Sequence, residues 1–269
     1  MGSFASVPRK AALPYRLDGD GRGAVVLLHG FTGHPGETRF VGERLALEGF
    51  TAIAPRLPGH GSSGSDFAAT DSADWFRRAL DAASDALAEF APEAGIENRG
   101  ETVGILGHSM GGALACAVSA RLGLTRTVLF APALSISIPH IDRMRFLRLI
   151  LPVVKNASEE THADSDARIL FEEYRKHART AQLDELRKVR DLALSSLPEL
   201  RGEVLVVTGE LDDSVRKRSV ELLKKGATGA KVTHVELRGC GHTFPFAHGR
   251  REAAELARAW FAREGPRRP

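Results

Sequence analysis

Gly107-His108-Ser109-Met110-Gly111 is the segment of this chain best suited to chemistry. It spells G-x-S-x-G. The apolar run Thr102-Val103-Gly104-Ile105-Leu106 precedes it, and Gly112 to Val118 after it reads as a buried helix. The motif therefore stands where a strand turns sharply into a helix. A serine on such a turn has a strained backbone and a side chain lifted clear of the sheet, and its flanking glycines let neighbouring backbone pass close by. A serine alkoxide attacks carbonyl carbon, so acyl transfer is the chemistry expected. A bare G-x-S-x-G recurs by chance, but the strand before it and the helix after it argue against an incidental serine.

A serine hydroxyl is a poor nucleophile at neutral pH. It needs a base, and the base needs an orienting carboxylate. Both follow in the order Ser, Asp, His, each just after a strand. Gly209-Glu210-Leu211-Asp212-Asp213-Ser214-Val215 follows the run Val204 to Thr208. Catalytic groups collect at the carboxyl ends of strands in open α/β sheets. Asp212 is the expected orienter and Asp213 the alternative; Asp213 or Ser214 can also cap the helix that follows. Arg238-Gly239-Cys240-Gly241-His242-Thr243 follows the run Val232 to Leu237. Its glycines let the loop fold so that His242 reaches the serine as base. An oxyanion also needs backbone donors. Met110, directly after the serine, supplies one N–H, and Phe31 in His29-Gly30-Phe31-Thr32-Gly33 supplies the other. Such donors are worth roughly 2.7–4 kcal/mol each. His29 and His60 (in Gly59-His60-Gly61-Ser62-Ser63) read as structural residues that hold their loops by hydrogen bonds. The first glycine-rich turn is no phosphate loop, because G-x-x-x-x-G-K-[ST] is missing.

The elements that must position these groups alternate between strand and helix. Ala24 to Leu28, Thr51 to Ala54, Thr102 to Leu106, Thr127 to Phe130, Val204 to Val207 and Val232 to Leu237 read as strands. Glu37 to Glu48, with Val41, Leu45 and Leu47 inward, Ser72 to Phe90 and Arg250 to Phe261 read as helices. The rhythm predicts an α/β fold, a mostly parallel central sheet with helices on both faces. Between Pro132 and Glu203 lie roughly seventy residues without a convincing strand, too many for a plain connection. Asp164 to Lys176 and Gln182 to Leu197 look helical there. The expected division is a core of residues 1–132 and 178–269, with 133–177 a small helical cap over the serine. Within it Ile141 to Val154 is apolar with arginines interleaved. Met144 and Leu147 are the expected contacts to substrate, with packing on the core and lipid contact as the alternatives.

Composition narrows the classes further. With 43% hydrophobic and 26% charged residues the chain is an ordinary globular protein. A net charge of +3 with scattered basic residues argues against a nucleic-acid partner. No apolar run approaches the length of a membrane span. Met1 to Arg16 lacks a secretory apolar core, so cytoplasmic residence is expected; the loose match of Met1 to Ser6 to a myristoylation pattern is taken as coincidence. Cys116 and Cys240 have no C-x-x-C partner and read as reduced structural thiols. No metal or cofactor is expected: there is no H-E-x-x-H, and a serine, histidine and aspartate need none.

Taken together, the motifs resemble the α/β-hydrolases, in their branch of serine esterases and monoacylglycerol lipases. The matching pieces are His29 to Gly33, Pro58-Gly59-His60-Gly61, Gly107 to Gly112, Gly209-Glu210-Leu211-Asp212 and Gly241-His242, in family order. The resemblance implies an α/β-hydrolase fold and a carboxylic ester hydrolase acting on a small-molecule ester. It favours Asp212, which stands three residues after the glycine; Asp213 occupies a position where the family often has proline. Leu151-Pro152-Val153-Val154 in a short cap resembles small bacterial carboxylesterases. The single-glycine turn Gly30-Phe31 resembles the type associated with acyl chains of medium or greater length. Thioester, lactone, amide or carbon–carbon cleavage and perhydrolysis use the same three residues and stay open. Haloalkane dehalogenation or epoxide hydrolysis would require aspartate at position 109. A ligand-binding relative without activity would lack the serine or the histidine, and both are present.

Overall fold

Parallel strands buried on both faces read as unbroken apolar runs, and Ala24-Val25-Val26-Leu27-Leu28 shows why. Ala24, Val26 and Leu28 enter one core, and Val25 and Leu27 enter another on the opposite face of the sheet. Val204 and Val206 alternate with Leu205 and Val207 in the same way. The computed structural model describes residues 8–91, 102–147, 153–154 and 178–263. Among them the strands are β1 (Tyr15–Leu17), β2 (Ala24–Leu28), β3 (Thr51–Ala54), β4 (Val103–His108), β5 (Arg126–Phe130), β6 (Val153–Val154), β7 (Ala178–Arg179), β8 (Gly202–Gly209) and β9 (Ala230–Leu237). Seven of them form one sheet in the order β1-β3-β2-β4-β5-β8-β9. Every pairing in it is parallel except β1 with β3.

The helices are α1 (Arg39–Leu47), α2 (Gly64–Ala68), α3 (Ser72–Phe90), α4 (Met110–Leu122), α5 (Met144–Leu147), α6 (Thr180–Ser196), α7 (Arg218–Gly226) and α8 (Arg250–Phe261). One core joins the sheet to Trp75, Ala79 and Ala82 of α3, Leu114 and Val118 of α4, and Leu186 and Val189 of α6. The other joins it to Val41 and Leu45 of α1 and Ala253, Ala257 and Phe261 of α8. Helix α3 starts where expected because Asp71 accepts from Ala73 N and Asp74 N while Asp74 accepts from Asp71 N, a reciprocal cap.

Three readings change. Leu47 is 81% exposed, not inward. Two residues beyond Leu45, a helix has turned about 200°, which carries Leu47 to the outer face. Tyr15–Leu17 is an edge strand that is not among the expected strands. The long connection holds the short antiparallel pair β6 with β7. The helix expected over 164–176 lies outside the described residues.

The register gathers the carboxyl ends of the central strands. Leu28 pairs with Gly107, and His108 pairs with Phe130. The turns after β2, β4 and β5 therefore open at one edge of the sheet, and those after β8 and β9 join them.

Candidate active site

Ser109 sits on the turn from β4 into α4 with φ 54° and ψ −115°. A non-glycine residue holds such a backbone only when its surroundings impose it. Here Ser109 N donates to Phe130 O (2.8 Å), and Ser109 O accepts from Ala113 N and Ala133 N (3.1 and 3.0 Å). The two glycines of the motif are steric requirements. A Cβ on Gly107 would run into Gly111 O, and one on Gly111 would run into Leu28 O. The turn thus lies flat against β2, and no larger residue fits between them.

Three side chains line up across the sheet edge. His242 Nε2 is 3.0 Å from Ser109 Oγ, and His242 Nδ1 is 2.8 Å from Asp212 Oδ2. Asp212 has its other oxygen, Oδ1, held by Ser214 N and Val215 N, each at 2.9 Å. A carboxylate only accepts, so Nδ1 of His242 carries the proton and Nε2 is left to accept from Ser109. Burial alone would raise the Asp212 pKa. The hydrogen bond and charge of His242 and the two backbone donors outweigh it and hold the pKa below the ordinary value.

Asp213 is exposed and meets Ser214 Oγ at 3.1 Å. It does not cap α7, whose first turn begins after Lys217 without a side-chain cap. The geometry therefore joins Asp212, and not its neighbour, to His242.

The turn Gly30 to Gly33 faces the serine. It is closed by Gly33 N donating to Gly30 O (3.1 Å), and Thr32 takes φ 59°. A Cβ on Gly30 would stand 3.4 Å from Ser109 Cβ. Met110 N opens a helix, where backbone N–H groups have no intrahelical acceptor. Neither Phe31 N nor Met110 N finds an acceptor among the described residues. His29 fixes the turn from below: its Nε2 accepts from Leu57 N (3.2 Å) and its Nδ1 donates to Gly30 O (3.0 Å). Burial, and then the neighbouring His60, push the His29 pKa well below its usual value, so the ring stays neutral. Nδ1 of His60 donates to Pro58 O at 3.0 Å.

One residue of the site escaped sequence reasoning. His108 is buried, and its Nε2 donates to the backbone carbonyl of His242 at 3.0 Å. Its ring lies 4.9 Å from that of His242 and edge-on to Phe246 at 5.6 Å. It ties the serine turn to the loop that carries His242. Its place beside Ser109 was a signal, but the partner lies 134 residues away.

Met144 is buried with Ile141 and Leu183, and Phe31 and Ile138 pack against that cluster. The side chain of Leu147 lies outside the described residues. Among the described residues no group of three or more His, Cys, Asp or Glu is placed to hold a metal ion, and no helix is long and apolar enough to cross a membrane.

Residues 25–259 match the model of the "Alpha/beta hydrolase family". A carboxylesterase of Bacillus subtilis (strain 168) is 33% identical over 112 residues, which are 42% of this chain and 40% of that protein. A thermostable monoacylglycerol lipase of Bacillus sp. (strain H-257) is 36% identical over 91 residues, 34% of this chain and 32% of that protein. The matched stretches thus span well under half of either relative. Among solved structures, one from the work on LipS and LipT, two metagenome-derived lipolytic enzymes, superposes with TM-score 0.79 at 21% identity. It covers 96% of this chain and all of its own. A Paleococcus ferrophilus monoacylglycerol lipase follows with TM-score 0.70 at 20% identity, covering 94% of this chain and 99% of that one. At such identities these two structures speak for the fold.

Proposed function

This chain belongs to the alpha/beta hydrolase family, and on that premise we propose that it hydrolyses small carboxylic esters through an acyl-enzyme on Ser109. The observation that carries the reading is the continuous path from Ser109 Oγ through His242 to Asp212, with contacts of 3.0 and 2.8 Å.

Ser109 Oγ attacks the ester carbonyl while His242 Nε2 takes its proton. Asp212 keeps the imidazole in the required tautomer and offsets the positive charge that forms on it. The carbonyl oxygen becomes an oxyanion and turns to the N–H groups of Phe31 and Met110. The tetrahedral intermediate collapses, and His242 returns the proton to the departing alcohol. Water then enters and adds to the acyl carbon while His242 takes its proton; the acyl–Oγ bond breaks, His242 returns the proton to Ser109 Oγ, and the acid leaves. No metal or cofactor enters these steps. The similarity to a curated carboxylesterase and a monoacylglycerol lipase supports an ester of short or medium acyl length, monoacylglycerols included.

Residues 133–177 are proposed as an insertion covering the serine, with core segments on either side. Cytoplasmic residence is part of the proposal, in keeping with two buried free thiols, Cys116 and Cys240. The test is turnover of p-nitrophenyl esters across acyl lengths, with thioester, lactone and anilide analogues beside them. Ser109→Ala should lower kcat by several orders of magnitude with the fold intact, and a fluorophosphonate should label Ser109 in the wild type only. Ordinary ester turnover by the alanine variant would overturn the mechanism. Preference for another bond would move the substrate class and keep the site.

A further inference from the structure

The side chain of Phe31 packs against two separate groups of residues. Its ring meets Phe67 edge-on at 5.3 Å and Trp75 at 6.0 Å. Those two rings are stacked on each other at 5.6 Å with planes 6° apart. Trp75 is fixed by its own indole N–H, which donates to Thr70 Oγ1 at 3.1 Å. Phe31 also packs against the cluster formed by Ile141, Met144 and Leu183. Leu183 belongs to α6, and Gln182 beside it donates to Ala68 O at 3.3 Å, which locks α6 to the helix carrying Phe67.

We infer that this double packing of the Phe31 ring aims the Phe31 N–H, and that Met144 is a positioning residue for the reaction rather than a wall of the acyl site. The inference rests on the reading that Phe31 N–H stabilises the oxyanion. Phe31 sits in a turn closed by a 3.1 Å hydrogen bond from Gly33 N to Gly30 O, and the next residue is held at positive φ. In so tight a turn the Cα–Cβ direction and the peptide plane move together. A ring that shifts toward a vacated Met144 site therefore swings the N–H off its target. The Phe67–Trp75 pair belongs to the main core and does not follow, so the ring tilts instead of translating with its surroundings. A donor is felt most in the transition state, where charge is on the oxygen. Met144 is 3% exposed, which leaves it little surface to offer an ester. Its packing should thus be felt in kcat for every ester, whatever the acyl chain.

The experiment uses the full chain with Met144→Ala, Met144→Leu and, from the facing helix, Leu183→Ala. Each is measured on p-nitrophenyl acetate and p-nitrophenyl octanoate. Binding of a trifluoromethyl ketone is measured as well, because its adduct with Ser109 presents an oxyanion to the same donors. Both alanine variants should lose about tenfold in kcat on both esters, as displacement of a catalytic group by a fraction of an ångström does. KM should stay within about twofold, and ketone affinity should weaken by about the same tenfold factor. Met144→Leu, which conserves volume, should recover most of the loss. Loss confined to the octanoate would make Met144 an acyl-site wall and overturn the inference. A lower melting temperature with kcat and ketone affinity intact would overturn it too. Ser109→Ala, assayed alongside, separates the two levels. If it keeps turnover, the hydrolase reading fails; if it abolishes turnover while Met144→Ala is silent, only the coupling through Phe31 fails.

Discussion

Replacing His60 with phenylalanine should reduce this fold's sensitivity to mild acid. His60 is buried, with its ring set against His29, Phe67 and Trp75. Its Nε2 has no partner among the described residues. Burial, the largest cause, outweighs the hydrogen bond to Pro58, and the Arg56 charge adds to it, so the pKa drops from 6.5 to about 4. The unfolded chain thus takes up a proton near pH 6.5, and the folded chain only near pH 4. The unfolded state binds more protons between these values, so stability is full above about pH 6.5 and falls as the pH drops toward 4. A gap of about 2.5 pKa units at about 1.4 kcal/mol per unit makes roughly 3 kcal/mol over the window, about 2 kcal/mol of it by pH 5. His29 shifts in the same direction, whereas Asp212 titrates below its ordinary 3.8, outside this range. The assay is urea unfolding of wild type and His60→Phe at about pH 8, 7, 6 and 5. The variant loses the bond to Pro58 at every pH, though Thr70 Oγ1 still donates to that carbonyl at 3.2 Å. That cost cancels when the difference between the two proteins is followed across pH. The difference should move in the variant's favour by about 2 kcal/mol between pH 8 and pH 5. Two parallel curves would refute the reasoning, because they would mean that His60 takes up its proton equally in both states.

The remaining predictions concern the line of hydrogen bonds at the serine. Asp212→Asn should favour the wrong imidazole tautomer and cost roughly 10⁴ in kcat, by analogy with a serine protease. Asp213→Asn, at an exposed carboxylate, should change kcat less than about twofold; a larger loss there than at Asp212 would reverse the assignment. His108→Leu leaves the His242 carbonyl without its donor and should lower kcat about tenfold with KM unchanged. His108→Gln, whose amide N–H can replace the imidazole donor, should keep most of the activity. Equal losses in both His108 variants would show that ring packing against Phe246, and not the hydrogen bond, is what matters.

Much of the fold was legible because parallel strands are covered on both faces and must be apolar at every position. Ala24 to Leu28 and Thr51 to Ala54 were read to the residue. Helices with one dry face were equally plain: Arg250–Phe261 and Ser72–Phe90 have the bounds their patterns require. Tyr15–Leu17 was not legible. It is an edge strand, and burial marks its sequence weakly. Leu47 was misjudged because hydrophobicity was weighed ahead of helical phase.

Ser109, His242 and both candidate aspartates stood out in the sequence because they follow strand ends and because glycine is required around them. Gly107 and Gly111 are there for a reason the chain states locally: backbone passes where a Cβ would be. The sequence by itself thus determined the class of sheet, the strand ends at which Ser109, the paired aspartates and His242 stand, and the sharp turn at the serine. Each of these rests on steric and hydrophobic demands that act over a few neighbouring residues. Which aspartate meets His242, the hold of His108 on the His242 carbonyl and the packing around Phe31 were decided only in three dimensions. Adjacent aspartates have the same chemistry, and one faces His242 because Ser214 N and Val215 N fix its carboxylate. His108 meets a loop that β9 delivers from the far end of the chain. Phe31 packs with Phe67, Trp75 and the cluster that holds Met144, and these three residues come from three separate helices. Contacts between residues so far apart depend on how the strands are ordered and paired, and no local pattern of residues encodes that order.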